Sequence, residues 1–103
     1  MKIWVDDVRP FLNDGTFNWI WCRSVNSAKT VIKSMEENDE YIQFIDIDHD
    51  AGDYANDGGD YIKLLDWLEE TGRNYPIRIH SMNPVGVENM RRIIERNGWT
   101  EVK

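Results

Sequence analysis

The chain has 103 residues and a formal net charge of −7 at pH 7. This length allows one domain with one core over residues 1–103, and the acidic balance argues against binding to duplex nucleic acid or to an anionic membrane, which both need a basic surface. The single cysteine, Cys22, excludes an intramolecular disulfide, and no apolar run approaches the length of a membrane span. We therefore expect a cytoplasmic protein, or one in the cytoplasm of a host cell if the gene is viral.

The first part of the chain predicts two strands and a helix. Apolar residues predict a first strand over Ile3–Asp6, and the turn residues of segment 8–18 predict a long loop. An aromatic run predicts a second strand over Trp19–Arg23. A helix follows, with Ser24 or Asn26 as its N-cap and one apolar face at helical spacing.

The middle of the chain predicts a central strand and a second helix. A run of apolar and β-branched residues predicts a strand over Tyr41–Ile47. Segment 51–60 is rich in glycine and aspartate, which predicts a flexible loop. A stripe of apolar residues at helical spacing then runs from Tyr61 to Leu68, and Gly72 is a suitable C-terminal cap.

The last part of the chain completes an alternating pattern. A fourth strand is predicted over Ile77–His80 and a fifth over Trp99–Lys103. Between them lies a helix with Asn83 as N-cap and Pro84 at its first position, ending at Gly98. Strands that alternate with helices predict an α/β domain, in which helices cover a mostly parallel, twisted sheet.

Polar clusters follow three of these strands. They are Asp6-Asp7, Asp48-His49-Asp50 and His80-Ser81, and they contain both histidines of the chain. Ligands of parallel sheets bind outside the carboxyl ends of the strands. The three clusters therefore predict one functional site at that edge of the sheet.

The acids at this edge predict a cation or a shared proton. Asp6, Asp7, Asp48 and Asp50 would repel one another in a partly dry pocket, so either one carboxylate is protonated or a cation lies among them. Carboxylate oxygens suit a divalent metal such as Mg²⁺ or Mn²⁺, whereas histidine leaves room for a transition metal. These alternatives stay open from the residues alone.

The histidines indicate phosphate chemistry. His49 and His80, with Asp48 beside them, are candidates for general acid and base across a phosphodiester, although a histidine on an apolar strand is also commonly structural. The start of the last helix offers N–H groups for a phosphate. The candidate substrate-binding residues are Arg9, Ser81, Asn83 and Gly86.

Four segments resemble a known family in order and spacing. They are W-V-D-D-V-R-P (4–10), I-D-H-D-A-G-D (47–53), G-D-Y-I-K-L-L-D-W-L (59–68) and H-S-M-N-P-V-G-V-E-N-M (80–90), and they are similar to the cyclic-phosphate-processing receiver domains. This resemblance implies a three-layer, receiver-like (flavodoxin-like) fold with about five strands and about three helices. It also implies that the site processes a cyclic phosphate or a cyclic nucleotide.

A broader resemblance is to the receiver domains of response regulators. Those domains end the first strand in paired acids, the third in an acid and the fourth in Ser or Thr, as Asp6-Asp7, Asp48 and Ser81 do here. Lys103 is the candidate for the lysine that closes their fifth strand. His49 and His80, however, stand where receivers have mostly apolar residues, and this departure argues against a phosphoacceptor role for Asp48.

Three functions follow as hypotheses. The first is hydrolysis of a small cyclic phosphate or cyclic nucleotide ligand. The second is a module that captures a cyclic nucleotide signal without turnover, which would suit a phage protein that acts against host defence. The third is a degenerate receiver that serves as an interaction domain.

Overall fold

The computed structural model describes residues 1–8 and 18–103, and a parallel sheet forms its centre. The four strands of the described residues are β1 (Lys2–Val5), β2 (Trp19–Cys22), β3 (Phe44–Ile47) and β4 (Ile77–Ile79). The strand order is β2-β1-β3-β4, and every neighbouring pair is parallel, which confirms the predicted α/β architecture.

The predicted fifth strand is reduced to a single bridge. Glu101 pairs with Ile77 in parallel orientation, and the Val102 N–H donates to the Ile77 carbonyl at 2.7 Å. The segment after Gly98 therefore runs along the outer side of β4 without forming a full strand. Four strands and one bridge are close to the predicted number of about five.

Three helices follow β2, β3 and β4, as predicted. They are α1 (Val25–Glu37), α2 (Ile62–Glu70) and α3 (Pro84–Asn97). The side chain of Ser24 accepts from the Ser27 N–H at 3.0 Å, so Ser24 is the N-cap of α1. Asn83 caps α3 in the same way. Gly98 ends α3 in the left-handed conformation with φ 67°.

The strand order places these helices on one face of the sheet. The connections through α1, α2 and α3 all lead toward β4 or beyond it, and parallel crossovers are right-handed. Crossover connections that step in the same direction across the sheet and have the same handedness lie on the same face of the sheet. The core lies between this face and the helices, and its buried members include Ile3, Val5, Ile45, Ile47, Ile77, Ile32, Leu64, Leu68 and Met90.

The second face of the sheet carries a different set of residues. Trp4 pairs with Trp21 on one side and with Asp46 on the other, and Asp46 pairs with Arg78. Side chains alternate between the two faces, so residues two positions further along share this second face. Those residues are Asp6, Asp48 and His80.

The segment between β3 and α2 is more regular than the predicted flexible loop. It contains a 3-10 helix, Gly52–Asn56, and the residue after it is tied to α1. The Asn26 N–H donates to the Asp57 carbonyl at 3.2 Å, and the Ser24 hydroxyl donates to the Asp57 carboxylate at 2.6 Å. The other predicted loop, 8–18, lies mostly outside the described residues.

None of the helices in the described ranges has the length and apolar character needed to cross a membrane.

Candidate functional site

Asp6, Asp48 and His80 meet at the carboxyl edge of the sheet. Each follows a different strand, and one ligand atom from each side chain lies within 4.8 Å of the other two. Asp6 is buried, whereas Asp48 and His80 are partly buried. The sequence predicted that these strand ends converge, and the structure brings an acid from β1, an acid from β3 and the histidine after β4 into one group.

The His80 ring is held from three sides. Its Nε2 lies 2.9 Å from Oδ2 of Asp6, and its Nδ1 lies 2.6 Å from Oδ1 of Asp46. The ring also stacks on the indole of Trp4, with centroids 3.9 Å apart and planes 3° from parallel. Its side chain is only 12% exposed. His80 therefore has one orientation, in which each ring nitrogen faces a carboxylate.

These contacts constrain what the His80 nitrogens can do. An ionised carboxylate only accepts hydrogen bonds, so both contacts are hydrogen bonds only when the ring carries two protons. A neutral ring with its proton on Nδ1 and donated to Asp46 directs the lone pair of Nε2 toward Asp6. That is the arrangement of a metal ligand or of a general base.

Asp46 is a member of the site that the sequence analysis did not single out. Its carboxylate is 2% exposed, and its second oxygen lies 3.8 Å from Nε of Arg78. The available signal was a lone acid inside the apolar strand β3, because a buried charge needs a partner. Its distance of two residues from Asp48 also placed both on one face of the strand.

Backbone contacts orient the two acids of the group. Oδ1 of Asp6 accepts from the Val8 N–H at 3.1 Å, which leaves Oδ2 directed at His80. Oδ1 of Asp48 accepts from the His49 N–H at 2.7 Å. Each carboxylate is thus oriented by a backbone N–H that lies one or two residues later in the chain.

The Tyr61 phenol lies close enough to the carboxylates of this edge to be affected by their negative charge. Burial and the nearby carboxylates, Asp7 first, then Asp6 and Asp48, raise the pKa of its phenol above the ordinary value. The hydroxyl donates to the Arg23 carbonyl at 2.7 Å. Tyr61 is therefore a neutral structural residue, and the carboxylates around it favour a cation at this edge.

His49, the second predicted catalytic residue, lies on a glycine of α3. Its Nδ1 is 2.8 Å from Oδ1 of Asp50, and its side chain is 16% exposed. A Cβ atom on Gly86 would be only 2.4 Å from Cγ of the ring, so the absence of a side chain there makes room for the imidazole. With Nδ1 directed at Asp50, Nε2 is the nitrogen that can exchange a proton with a ligand.

The predicted phosphate-binding residues form a capped turn. Oγ of Ser81 accepts from the Asn83 N–H at 3.1 Å, and Oδ1 of Asn83 accepts from the Gly86 N–H at 3.1 Å. Pro84 has no N–H, so the start of α3 has already used most of its donors. The Ser81 hydroxyl keeps its own proton as a donor. Arg9 lies outside the described residues.

Comparison with known families bears on this arrangement. The model of the family described as the cyclic-phosphate processing receiver domain matches residues 1–96. The chain belongs to this family. Comparisons with curated proteins and with solved structures gave no match. Family membership associates this receiver domain with cyclic-phosphate processing.

The described residues of this chain contain one group that could hold a metal ion. Asp6, Asp48 and His80 supply two oxygen ligands and one nitrogen ligand, a set that suits Mn²⁺ and related divalent ions. Metal-bound histidines usually donate their second N–H to a carboxylate, and Asp46 is in that place. The residues therefore fit a metal.

Two other predicted metal ligands lie beside this group. Asp50 is 64% exposed and contacts His49. Asp7 lies against Gly52, where an added Cβ would be 2.4 Å from Oδ2 of Asp7. Gly52 has φ +56°, so it suits this close approach in two respects. Asp7 and Asp50 add negative charge around the site. The group that could hold a metal ion, however, consists of Asp6, Asp48 and His80.

Proposed function

We propose that this domain hydrolyses one phosphoester bond of a cyclic phosphate or cyclic nucleotide. The observation that carries the proposal is the group of Asp6, Asp48 and His80, in which Asp46 holds Nδ1 of His80. His49 follows Asp48 directly in the chain. Hydrolysis of a cyclic phosphodiester needs charge neutralisation at phosphorus and a proton for the leaving oxygen. This edge of the sheet contains residues of both kinds.

Asp6, Asp48 and His80 would hold a divalent ion. Such an ion, when bound, neutralises charge on the phosphoryl oxygens and acts as a Lewis acid. Asp46 keeps the proton of His80 on Nδ1, and the stack on Trp4 keeps the ring from turning. These two positioning residues preserve the direction of the Nε2 lone pair.

His49 is the proposed general acid. In the reaction, an oxygen of water forms a bond to phosphorus, one P–O ester bond breaks, and the leaving oxygen takes a proton from Nε2 of His49. The proton that the attacking water gives up then returns His49 to its protonated form. Asp50 fixes the ring through Nδ1. The Ser81 hydroxyl can donate to a phosphoryl oxygen, and a contribution from Arg9 remains a prediction.

The test is a hydrolysis assay with Mn²⁺ and two probes, 2′,3′-cyclic AMP and 3′,5′-cyclic AMP, analysed by mass spectrometry. We expect a product that is heavier by one water. Asp48→Asn keeps the acceptor for the His49 N–H but removes a negative ligand, and we expect it to lower turnover severely. His49→Gln should lower turnover by roughly 100-fold or more.

The matched control is Asp39→Asn. It makes the same charge change in the α1–β3 connection, at the opposite edge of the sheet, and Asn tolerates the φ of 55° found there. We expect wild-type turnover. If denaturation of the protein releases both probes intact and in stoichiometric amount, the domain captures its ligand and the hydrolysis proposal is wrong. Equal turnover in Asp48→Asn and Asp39→Asn would also contradict it.

A further inference from the structure

A cavity opens at the carboxyl edge of the sheet. Its volume is about 350 Å³, which is in the range of small-molecule pockets. It lies at the carboxyl end of β2, where the start of α1 and the 3-10 helix come together. Its lining residues are Trp21, Arg23, Ser24, Ser27, Tyr54 and Asp57.

One wall of the cavity is a guanidinium group that lies over an indole ring. The Arg23 guanidinium lies 4.2 Å from the centroid of the Trp21 ring, and its Nη1 donates to the Tyr54 hydroxyl at 3.3 Å. The Trp21 indole N–H donates to the Asp6 carbonyl at 2.8 Å. Planar guanidinium and aromatic groups are the surfaces on which nucleobases stack.

Another part of the lining accepts hydrogen bonds. The Asp57 carboxylate receives the Ser24 hydroxyl at 2.6 Å and the Asn26 amide at 3.0 Å. These hydrogen bonds, Ser24 first, lower the pKa of Asp57, so the group is ionised at neutral pH. Each carboxylate oxygen can accept more than one hydrogen bond. A carboxylate repels phosphate but accepts from the N–H and O–H groups of a base or a sugar.

The cavity and the three-residue group are connected through Asp6. The Asp6 N–H donates to the Cys22 carbonyl at 3.3 Å, so Asp6 and Arg23 continue neighbouring strands. Neighbouring strands are roughly 4.8 Å apart. A nucleotide with its cyclic phosphate at Asp6, Asp48 and His80 and its base in the cavity would therefore lie across two adjacent strands.

We propose that the cavity formed by Trp21, Arg23, Tyr54 and Asp57 is a nucleobase subsite, and that the substrates are nucleoside cyclic phosphates. This inference rests on the proposed function and narrows it, because it excludes cyclic phosphates without a base as preferred substrates. The stacked wall binds the base, and Asp57 accepts from its N–H groups or from the sugar hydroxyls.

The test separates the cavity from the chemistry by using adenosine, which has no phosphate. The chain has five tryptophans, and loss of one indole N–H signal in Trp21→Phe assigns Trp21 in the NMR spectrum. We expect adenosine to shift the Trp21 signal in a saturable way. Arg23→Ala and Tyr54→Ala should each weaken this binding by about 5- to 100-fold, the effect of losing one stacking partner.

Arg92→Ala is the matched control, because Arg92 is an exposed arginine on α3, paired with Glu88, and we expect no change in adenosine binding. In the hydrolysis assay, Arg23→Ala should reduce the preference for cyclic AMP over glycerol 1,2-cyclic phosphate. An unmoved Trp21 signal, or equal binding in Arg23→Ala and Arg92→Ala, would overturn the subsite. Saturable adenosine binding without any hydrolysis would instead refute the proposed function and leave the subsite standing.

Discussion

Substitution of Gly86 by Ala tests whether α3 was shaped to receive the His49 ring. Two effects oppose each other at this position. Alanine favours an α-helix over glycine by about 1 kcal/mol. The added Cβ, however, would be 2.4 Å from Cγ and 2.5 Å from Cδ2 of the imidazole, well inside any normal contact. Overpacking of this kind costs about 1–3 kcal/mol.

The ring has little freedom to avoid the new methyl group. It is mostly buried, and Asp50 holds its Nδ1. We therefore expect Gly86→Ala to lower the free energy of unfolding by up to about 2 kcal/mol, since the steric cost exceeds the gain in helix propensity. Urea denaturation followed by tryptophan fluorescence measures this change.

A double-mutant cycle shows whether His49 is the cause. In a His49→Ala background the ring is absent, so Gly86→Ala should become neutral or stabilising by up to about 1 kcal/mol. The coupling energy between the two positions should then be about 1–3 kcal/mol. If Gly86→Ala destabilises both backgrounds equally, or neither, the steric explanation is refuted.

Three further predictions concern stability and reactivity. Hydrogen bonds from Arg96 and then Asn97 lower the pKa of Glu69 to about 2; since this folded pKa is below the ordinary value, Glu69 stabilises the fold above pH 4.5 and loses this effect as the pH falls toward 2. Glu69→Gln should therefore lose less stability than the wild type between pH 6 and pH 3 in urea titrations, and parallel losses would disprove this. Burial raises the pKa of Cys22 to about 11, so an aromatic disulfide reagent at pH 8 should label it only after urea unfolding; rapid labelling of the native protein would contradict the burial. Asn83→Ala removes the cap of α3 and should cost about 1 kcal/mol in the free energy of unfolding, whereas Asn83→Ser should cost less, and equal stabilities would exclude a capping role.

Local signals in the sequence predicted the elements and the edge of the sheet that carries the site. Helix caps such as Asn83 and Gly98 act within a few residues, so they can be identified without a fold. Boundaries were less certain: the strand predicted over Tyr41–Ile47 begins at Phe44. The reason is that Ile42 is buried in the core although it precedes the strand, and periodicity cannot distinguish burial from strand pairing.

The convergence of the three polar strand ends followed from parallel topology alone, because parallel strands end at one edge. The partners of His80 did not. Asp46 and Trp4 contact its ring only because β1 lies between β2 and β3 and pairs Trp4 with Asp46. This register depends on strand order, which no local pattern specifies.

By itself the sequence determined the alternating α/β architecture, the helix caps and the acid- and histidine-rich strand ends, since each depends on neighbouring residues. Only the tertiary structure decided that His80 completes the three-residue group and that Asp50 contacts His49 instead. It also decided that Gly86 makes room for the His49 ring and that the cavity beside Trp21 and Arg23 lies at the end of β2. Those features join residues far apart in the chain, and their positions are set by strand order, register and crossover hand.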